Sequence, residues 1–459
     1  METLGSDIGP KTGATTGCKS LRVNGLSNDV EFIFCLLLIQ RARLTVSIVS
    51  RRFASITALS LWLTSGCLAY AERPLPQREL KAYILHENPN SADISLDDSF
   101  VVTVLSRREP TNDPSTSRVS DLVQLWDFRN DKLVAENVLR VEIKRKREPI
   151  TYWRSEYVRY SADGKIVIAY LDRFLYVLRA DDLQEIQRIS IAGPPSEPRT
   201  YQGKRGVHSF AIDSEVTSLE LSPTRRKVVV VWVRGFSNSW IDVVDIDSAK
   251  QTVWNTRERG LGWMNPKAVS WTSDGEHLVV AVPNVFPCGR PSNTPDVFVV
   301  DPTSGTIENK LSTGLLVGDI AVTADDRLFA VDFDCVGVFV NHDPKLRVFD
   351  LRTGKKLKEL PGRGAGVRYA VSASPNNNRI AAYTGIVKAG FDWGDMVPFD
   401  KHIDATISVW TLLDFDAVVT SQNLPERTSG RFRVAGQVPL RMSPKGGYIL
   451  QGGAIYELP

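Results

Sequence analysis

The chain has 459 residues, 42% hydrophobic and 24% charged, with 56 Lys/Arg against 53 Asp/Glu and only five Cys and five His. Seven of the basic and four of the acidic residues lie in 1–71, so the remaining body is neutral overall. A neutral body of this length excludes electrostatic adhesion to nucleic acid as its main activity and leaves ample chain for a large core.

The first seventy residues are unlike the rest. Arg51-Arg52, the apolar run Ala54–Leu63 and Ala69-Tyr70-Ala71 before Glu72 stand in the order of a secretory signal: basic n-region, apolar h-region, small-residue cleavage site. Such signals begin near a chain's start. The expected organisation is therefore an upstream spacer or disordered extension (1–48), a signal peptide (49–71), a linker (72–78) and a folded body (79–459). Two other readings stay open. Ala54–Ala71 has the short-limit length of a membrane anchor, and Cys67 follows Leu63-Thr64-Ser65-Gly66 in an imperfect lipidation motif. Each places the protein outside the cytoplasm, periplasmic or secreted, touching membrane only through this N-terminal segment.

Beyond the linker, Leu80–Leu85 reads as an isolated strand. A hydroxyl-bearing turn then recurs seven times: Ser95-Leu96-Asp97-Asp98, Ser161-Ala162-Asp163-Gly164, Ser222-Pro223-Thr224, Thr272-Ser273-Asp274-Gly275, Thr323-Ala324-Asp325-Asp326, Ser374-Pro375-Asn376 and Ser443-Pro444-Lys445-Gly446. After each comes an apolar strand, from Phe100–Leu105 through Val228–Val233 to Tyr448–Gln451. A third strand follows, from Leu122–Phe128 through Asp296–Asp301 to Ala454–Leu458, and then an Asp- or Gly-bearing turn leading to a fourth. Val, Ile, Phe, Tyr and Trp dominate these runs, as half-buried pleated surfaces require. Lys132–Lys146 alone has some helical character. The turn hydroxyls are spaced by 66, 61, 50, 51, 51 and 69 residues. Four strands per unit near that period predict an all-β, seven-bladed β-propeller of antiparallel blades. The seventh unit ends at Pro459 one strand short, so Leu80–Leu85 is expected to pair with it and close the ring, removing an exposed edge.

These turns, with third-strand endings such as Leu125-Trp126-Asp127, Val300-Asp301 and Phe349-Asp350, resemble the WD40/YVTN-like propeller superfamily over residues 79–459. The resemblance implies the fold alone. The sequence has no Gly-His dipeptide, and Trp-Asp occurs only at Trp126-Asp127, so the buried Asp-His-Ser-Trp network of true WD40 repeats is not expected. The downstream Trp of sialidase Asp-boxes is also missing.

In a propeller, the strand 1–2 and 3–4 connections share one face; the 2–3 and inter-blade connections share the other. The extra length falls on the second face: Ser106–Asp121, Pro283–Pro295, Asp334–Pro344 and Thr384–Ala405 between strands, and Arg140–Tyr157, Ala192–Val216, Thr256–Lys267 and Ser421–Gln437 between blades. Long loops segregated in this way point to a binding face. Its candidate residues are Trp153, Arg154, Tyr201, His208, Arg234, Trp263, Asp332, Asp334, Asp392, Trp393, Asp395 and His402, of which Trp, Tyr and Arg are the types that dominate interface hot spots. The carboxylates lack calcium-loop spacing and read as solvated. Lys144-Arg145-Lys146-Arg147 reads as a solvated loop or strand edge. Cys288 and Cys335 occupy equivalent loops of neighbouring units and are expected to form a disulfide; Cys18, Cys35 and Cys67 lie in the prefix. No nucleophile elbow, zinc-protease, haem or phosphate-loop motif occurs, and neither metal nor cofactor is expected. The expected function is an exported binding module with a cell-envelope protein or peptide as partner. The rival is a propeller enzyme of lyase, glycosidase or dehydrogenase type, with its site at the channel mouth.

Overall fold

The computed structural model describes residues 80–85, 89–145, 156–194, 197–203, 206–212, 214–224, 226–234, 238–262, 264–283, 294–314, 317–332, 345–361, 368–374, 379–387, 402–415, 417–421, 440–451 and 454–459, some strand residues by backbone alone. Every regular element among them is a β-strand. After β1 (Ala82–Ile84), blade 1 consists of β2 (Ser91–Ile94), β3 (Val101–Pro110), β4 (Thr116–Asp127) and β5 (Lys132–Arg145). Blade 2 is β6 (Tyr157–Tyr160), β7 (Ile166–Leu171), β8 (Phe174–Arg179) and β9 (Glu185–Ser190). A separate hairpin, β10 (Glu197–Gly203) and β11 (Gly206–Ile212), precedes blade 3: β12 (Glu215–Leu221), β13 (Lys227–Arg234), β14 (Asn238–Asp245) and β15 (Gln251–Asn255). Blade 4 is β16 (Ala268–Trp271), β17 (Leu278–Ala281), β18 (Val297–Val300) and β19 (Ile307–Leu311). Blade 5 is β20 (Val317–Val322), β21 (Arg327–Asp332), β22 (Lys345–Asp350) and β23 (Lys356–Pro361). Blade 6 is β24 (Arg368–Ala373), β25 (Arg379–Val387), β26 (His402–Thr411) and β27 (Ala417–Ser421). Blade 7 is β28 (Leu440–Met442), β29 (Tyr448–Gln451) and β30 (Ala454–Glu457), completed by β1.

Blade 7 therefore takes its outer strand from the other end of the body. β1 pairs antiparallel with β30, Ala82 opposite Tyr456 and Ile84 opposite Ala454. The Tyr83 ring stacks edge-on against Phe128 of blade 1 at 5.4 Å, and its hydroxyl donates to Glu457 at 2.9 Å.

The core is a set of layers between blades. Apolar side chains alternate along each strand, so each sheet has two buried faces, and each face meets a neighbouring blade. Val102, Val104 and Val123 of blade 1 pack on Val158, Val167 and Ala169 of blade 2. Comparable clusters join blades 2 and 3, 3 and 4, 4 and 5, 5 and 6, and 6 and 7. The last joins 7 to 1, with Tyr448, Leu450 and Ile455 against Ile94 and Val101. Seven blades and seven apolar interfaces make a closed ring. Each fully buried Val, Leu or Ile contributes roughly 1.5–3 kcal/mol.

The recurrent turns have a shared geometry. Ser95, Ser161, Thr272 and Thr323 each donate a side-chain hydrogen bond to the Asp two residues on, at 2.5–2.7 Å. The same hydroxyl oxygen accepts the N–H at the start of the next strand, as Ser161 does from Ile166 at 3.1 Å. The fourth turn position is left-handed: Gly164 at φ 67° and Gly275 at φ 70°, but Asp98 at φ 62° and Asp326 at φ 56°. Those two aspartates reach the preceding blade's turn. Asp98 accepts from Ser443 Oγ at 2.8 Å and Asp326 from Ser273 N at 3.0 Å. Thr224 likewise donates to Asp274 O at 2.5 Å, and Ser374 to Pro444 O at 2.8 Å. The turns thus form clasps between blades.

The fourth strand of blade 1 forms as β5, Lys132–Arg145, a 14-residue strand despite the helical character of its sequence. Several expected loops differ from the structure. Ser106–Asp121 is not a loop. β3 and β4 stay paired from Ser106↔Asp121 out to Pro110↔Ser117, so blade 1 projects as a three-stranded extension. The Thr384–Ala405 loop is also narrower, because β25 runs to Val387 and β26 begins at His402.

Candidate functional site

The innermost strands, β2, β6, β12, β16, β20, β24 and β28, present one edge to the central channel. The residue two before each turn hydroxyl is, in blade order, Asp93, Arg159, Glu220, Ser270, Ala321, Ser372 and Arg441. An unpaired inner-edge N–H would cost free energy in this enclosed site. The preceding blade's side chain satisfies several. Asp93 accepts from Tyr160 N at 2.8 Å, Asp319 from Val371 N at 3.0 Å and Ser372 Oγ from Met442 N at 2.9 Å.

Charge runs across the axis as well as around it. Arg441 of blade 7 donates to both carboxylate oxygens of Glu220 in blade 3, one bond being 3.1 Å. These blades are not neighbours, so the pair spans the channel. The Arg159 guanidinium lies 3.7 Å from the same carboxylate and donates to Ser91 Oγ at 3.3 Å. Burial pushes Asp319 up to about 7 and raises Asp93, against which Arg159 and Arg441 act. Burial alone would lower Arg441, but the Glu220, Asp93 and Asp319 carboxylates more than offset it. Three acids and two guanidiniums thus form a nearly neutral bolt, with Glu220 paired to both arginines and Asp93 and Asp319 accepting from backbone N–H groups. Its chemistry is that of a structural lock. Among the described residues no group of three or more His, Cys, Asp or Glu is arranged to hold a metal ion.

The two faces of the ring differ in their connections. No strand 1–2 connection is longer than the one between Ile94 and Val101, and no described 3–4 connection is longer than the one between Val300 and Ile307. Gly305 (φ 69°) fits that 3–4 turn closely: a Cβ there would meet the Trp254 ring at 2.7 Å. The other face carries the blade 1 extension, the β10–β11 hairpin and the longest inter-blade segments.

Tyr201 and His208 face each other across the β10–β11 hairpin. Asp332 ends β21 opposite Val317, and His402 begins β26 opposite Val387. Arg234 ends β13 and is only 2% exposed; its guanidinium sits 4.9 Å from the Trp240 ring centroid, and Nε donates to Ser214 at 3.2 Å. Both of these contacts are with blade 3 or the residue just before it. Trp153, Arg154, Trp263, Asp334, Asp392, Trp393 and Asp395, with Cys288 and Cys335, lie outside the described residues. The sequence reading did not single out the channel residues. A signal existed: the position two before each turn hydroxyl holds Asp, Arg, Glu and Arg in four of seven units.

No protein-family model matches the chain, and no curated protein matches it. Among solved structures, a chain of the crystallised mitotic checkpoint complex aligns over 84% of this chain and 94% of its own, with 13% identity and a TM-score of 0.46. The strand pairing itself defines the seven-blade ring.

Proposed function

We propose that the protein is an exported interaction module that binds a protein partner of the cell envelope on the face opposite the clasped turns. The observation that supports this reading is the asymmetry of the ring. One face is short turns spent on inter-blade hydrogen bonds. The other carries the strand extension, the added hairpin and the long connections, and added length on a rigid scaffold is where binding residues concentrate. The paired state of the channel charges supports a surface site over a channel site.

The test is retention. The intact chain, immobilised, is challenged with envelope extract in the presence and absence of excess free chain. A competed protein should be retained, and its retention should be lost when residues 107–120 are replaced by a tight turn. No retained protein, together with turnover of a small molecule, contradicts the reading. Export also implies a Cys288–Cys335 bridge, contributing about 4 kcal/mol by loop entropy. Thiol counting on unreduced exported protein should find neither cysteine free.

A further inference from the structure

The outer strand of blade 1 is unlike its counterparts. β5 has 14 residues, whereas β9, β15, β19, β23 and β27 have five or six. It ends its sheet, so one edge has no strand partner among the described residues. Its two sides differ in chemistry. A register shift at Leu139 lets Val138 and Val141 share one side, opposite Leu122 and Ser120, with Ile143 next along, opposite Arg118. These three apolar side chains are 45%, 46% and 63% exposed. Arg118 and Arg145, both exposed, flank Ile143 on the same side. The reverse side is Arg140, Glu142 and Lys144, joined by ion pairs to one another and to Asp172 of blade 2. Blade 2 therefore braces one side of the extension, while the other side presents an apolar stripe between arginines.

We propose that the β5 edge takes an added strand from a protein partner: an extended segment whose one face, at every second residue, carries apolar residues followed by acidic ones. Its backbone would continue the sheet, its apolar side chains would lie beside Val138, Val141 and Ile143, and its carboxylates would meet Arg118 and Arg145. This rests on the binding-module reading and names the site and the partner's chemistry. Edge pairing supplies affinity through main-chain bonds, and the alternate side chains supply selectivity. Natural sheets rarely leave a long edge with exposed apolar residues uncovered. Charge favours an acidic partner, because a second copy would bring a second Arg118 and Arg145 to the contact.

The test uses two short fluorescent peptides, one with Val, Val and Glu at successive alternate positions and Thr between them, the other with Lys in place of Glu, titrated into the intact chain by anisotropy with amide exchange in parallel. The Val–Glu peptide should bind, slow exchange within 138–145, and bind about tenfold more weakly to the Arg118→Glu/Arg145→Glu variant. Its affinity should also fall with added salt. The Val–Lys peptide should not bind. Absence of Val–Glu binding, protection elsewhere, or equal binding of both peptides overturns the proposal. So does a concentration-dependent dimer dissociated by Ile143→Lys, which would make a second copy the occupant. If the peptide fails while the intact chain still retains an envelope protein, the edge is the wrong site and the binding-module reading stands.

Discussion

Asp242 lies in β14 with no exposed surface, on the face that packs against blade 2, and neither carboxylate oxygen has a hydrogen-bond partner. Burial pushes it up to about 7 from an ordinary 3.8. The sign follows from linkage: the folded state holds the proton more tightly than the unfolded chain. Stability is therefore fully present below about 4 and falls as pH rises toward 7, by about 4 kcal/mol. Asp319, near 7, and Asp296, near 6, act in the same direction. Asp242→Asn should unfold at a higher urea midpoint than the parent at pH 8 and at nearly the same midpoint at pH 4. Equal midpoints at pH 8 would show that the carboxylate finds a partner in solution. A second residue-scale prediction concerns Asp98. Replacement by Gly keeps the left-handed turn available but removes the acceptor for Ser443. It should cost about 1–3 kcal/mol, read as a lower melting temperature. Asp97→Asn, two residues from Ser95 on the same turn, leaves the Asp98 clasp in place and should cost less.

At the scale of elements, β1 decides whether the ring has an edge. A chain beginning after Leu85 lacks β1 and exposes β30, so it should self-associate in gel filtration as concentration rises, whereas a chain beginning at Arg78 should not. Which elements were legible also has a physical basis. The turns and second strands could be read because a hydroxyl, an Asp and a left-handed Gly recur around apolar runs buried on both faces. β5 was obscured by its own bulges. Register shifts beside Val134 and Leu139 break the two-residue alternation, and Val134, Val138 and Val141 then fall at helix-like spacing. The outer ends of β3 and β4 read as loop because Arg107-Arg108-Glu109-Pro110 and Thr116-Ser117-Arg118 lack an apolar face, having no neighbouring blade to cover. The β10–β11 hairpin did leave a mark, Gly203 and Gly206 bracketing its turn, which an inter-blade reading passed over. The channel residues were hidden by their variety. The fold fixes a position there that varies from blade to blade, and at Asp93, Arg159, Glu220, Ser372 and Arg441 the side chain finds a partner on another blade.

For the molecule as a whole, two devices keep seven similar sheets in one ring: clasps along the turn face and the charge bolt across the channel. Arg441→Met removes both hydrogen bonds from the Glu220 carboxylate, leaving it the Arg159 guanidinium at 3.7 Å, and should cost about 3 kcal/mol in denaturant melts. The double replacement Glu220→Gln/Arg441→Met should recover part of that loss, since neither member of the bidentate pair is then left without the other, although Arg159 loses its 3.7 Å contact. With one face and the channel committed to stability, the proposed binding surface is the opposite face. Amine-reactive cross-linking of the intact chain to a retained envelope protein, read by mass spectrometry, tests this most directly. Links should form from Lys144 on the blade 1 extension and be absent from Lys165, Lys250, Lys355 and Lys445, which lie in the short connections of the clasped face. Links concentrated on those four lysines, with none from Lys144, would contradict the assignment of the binding face.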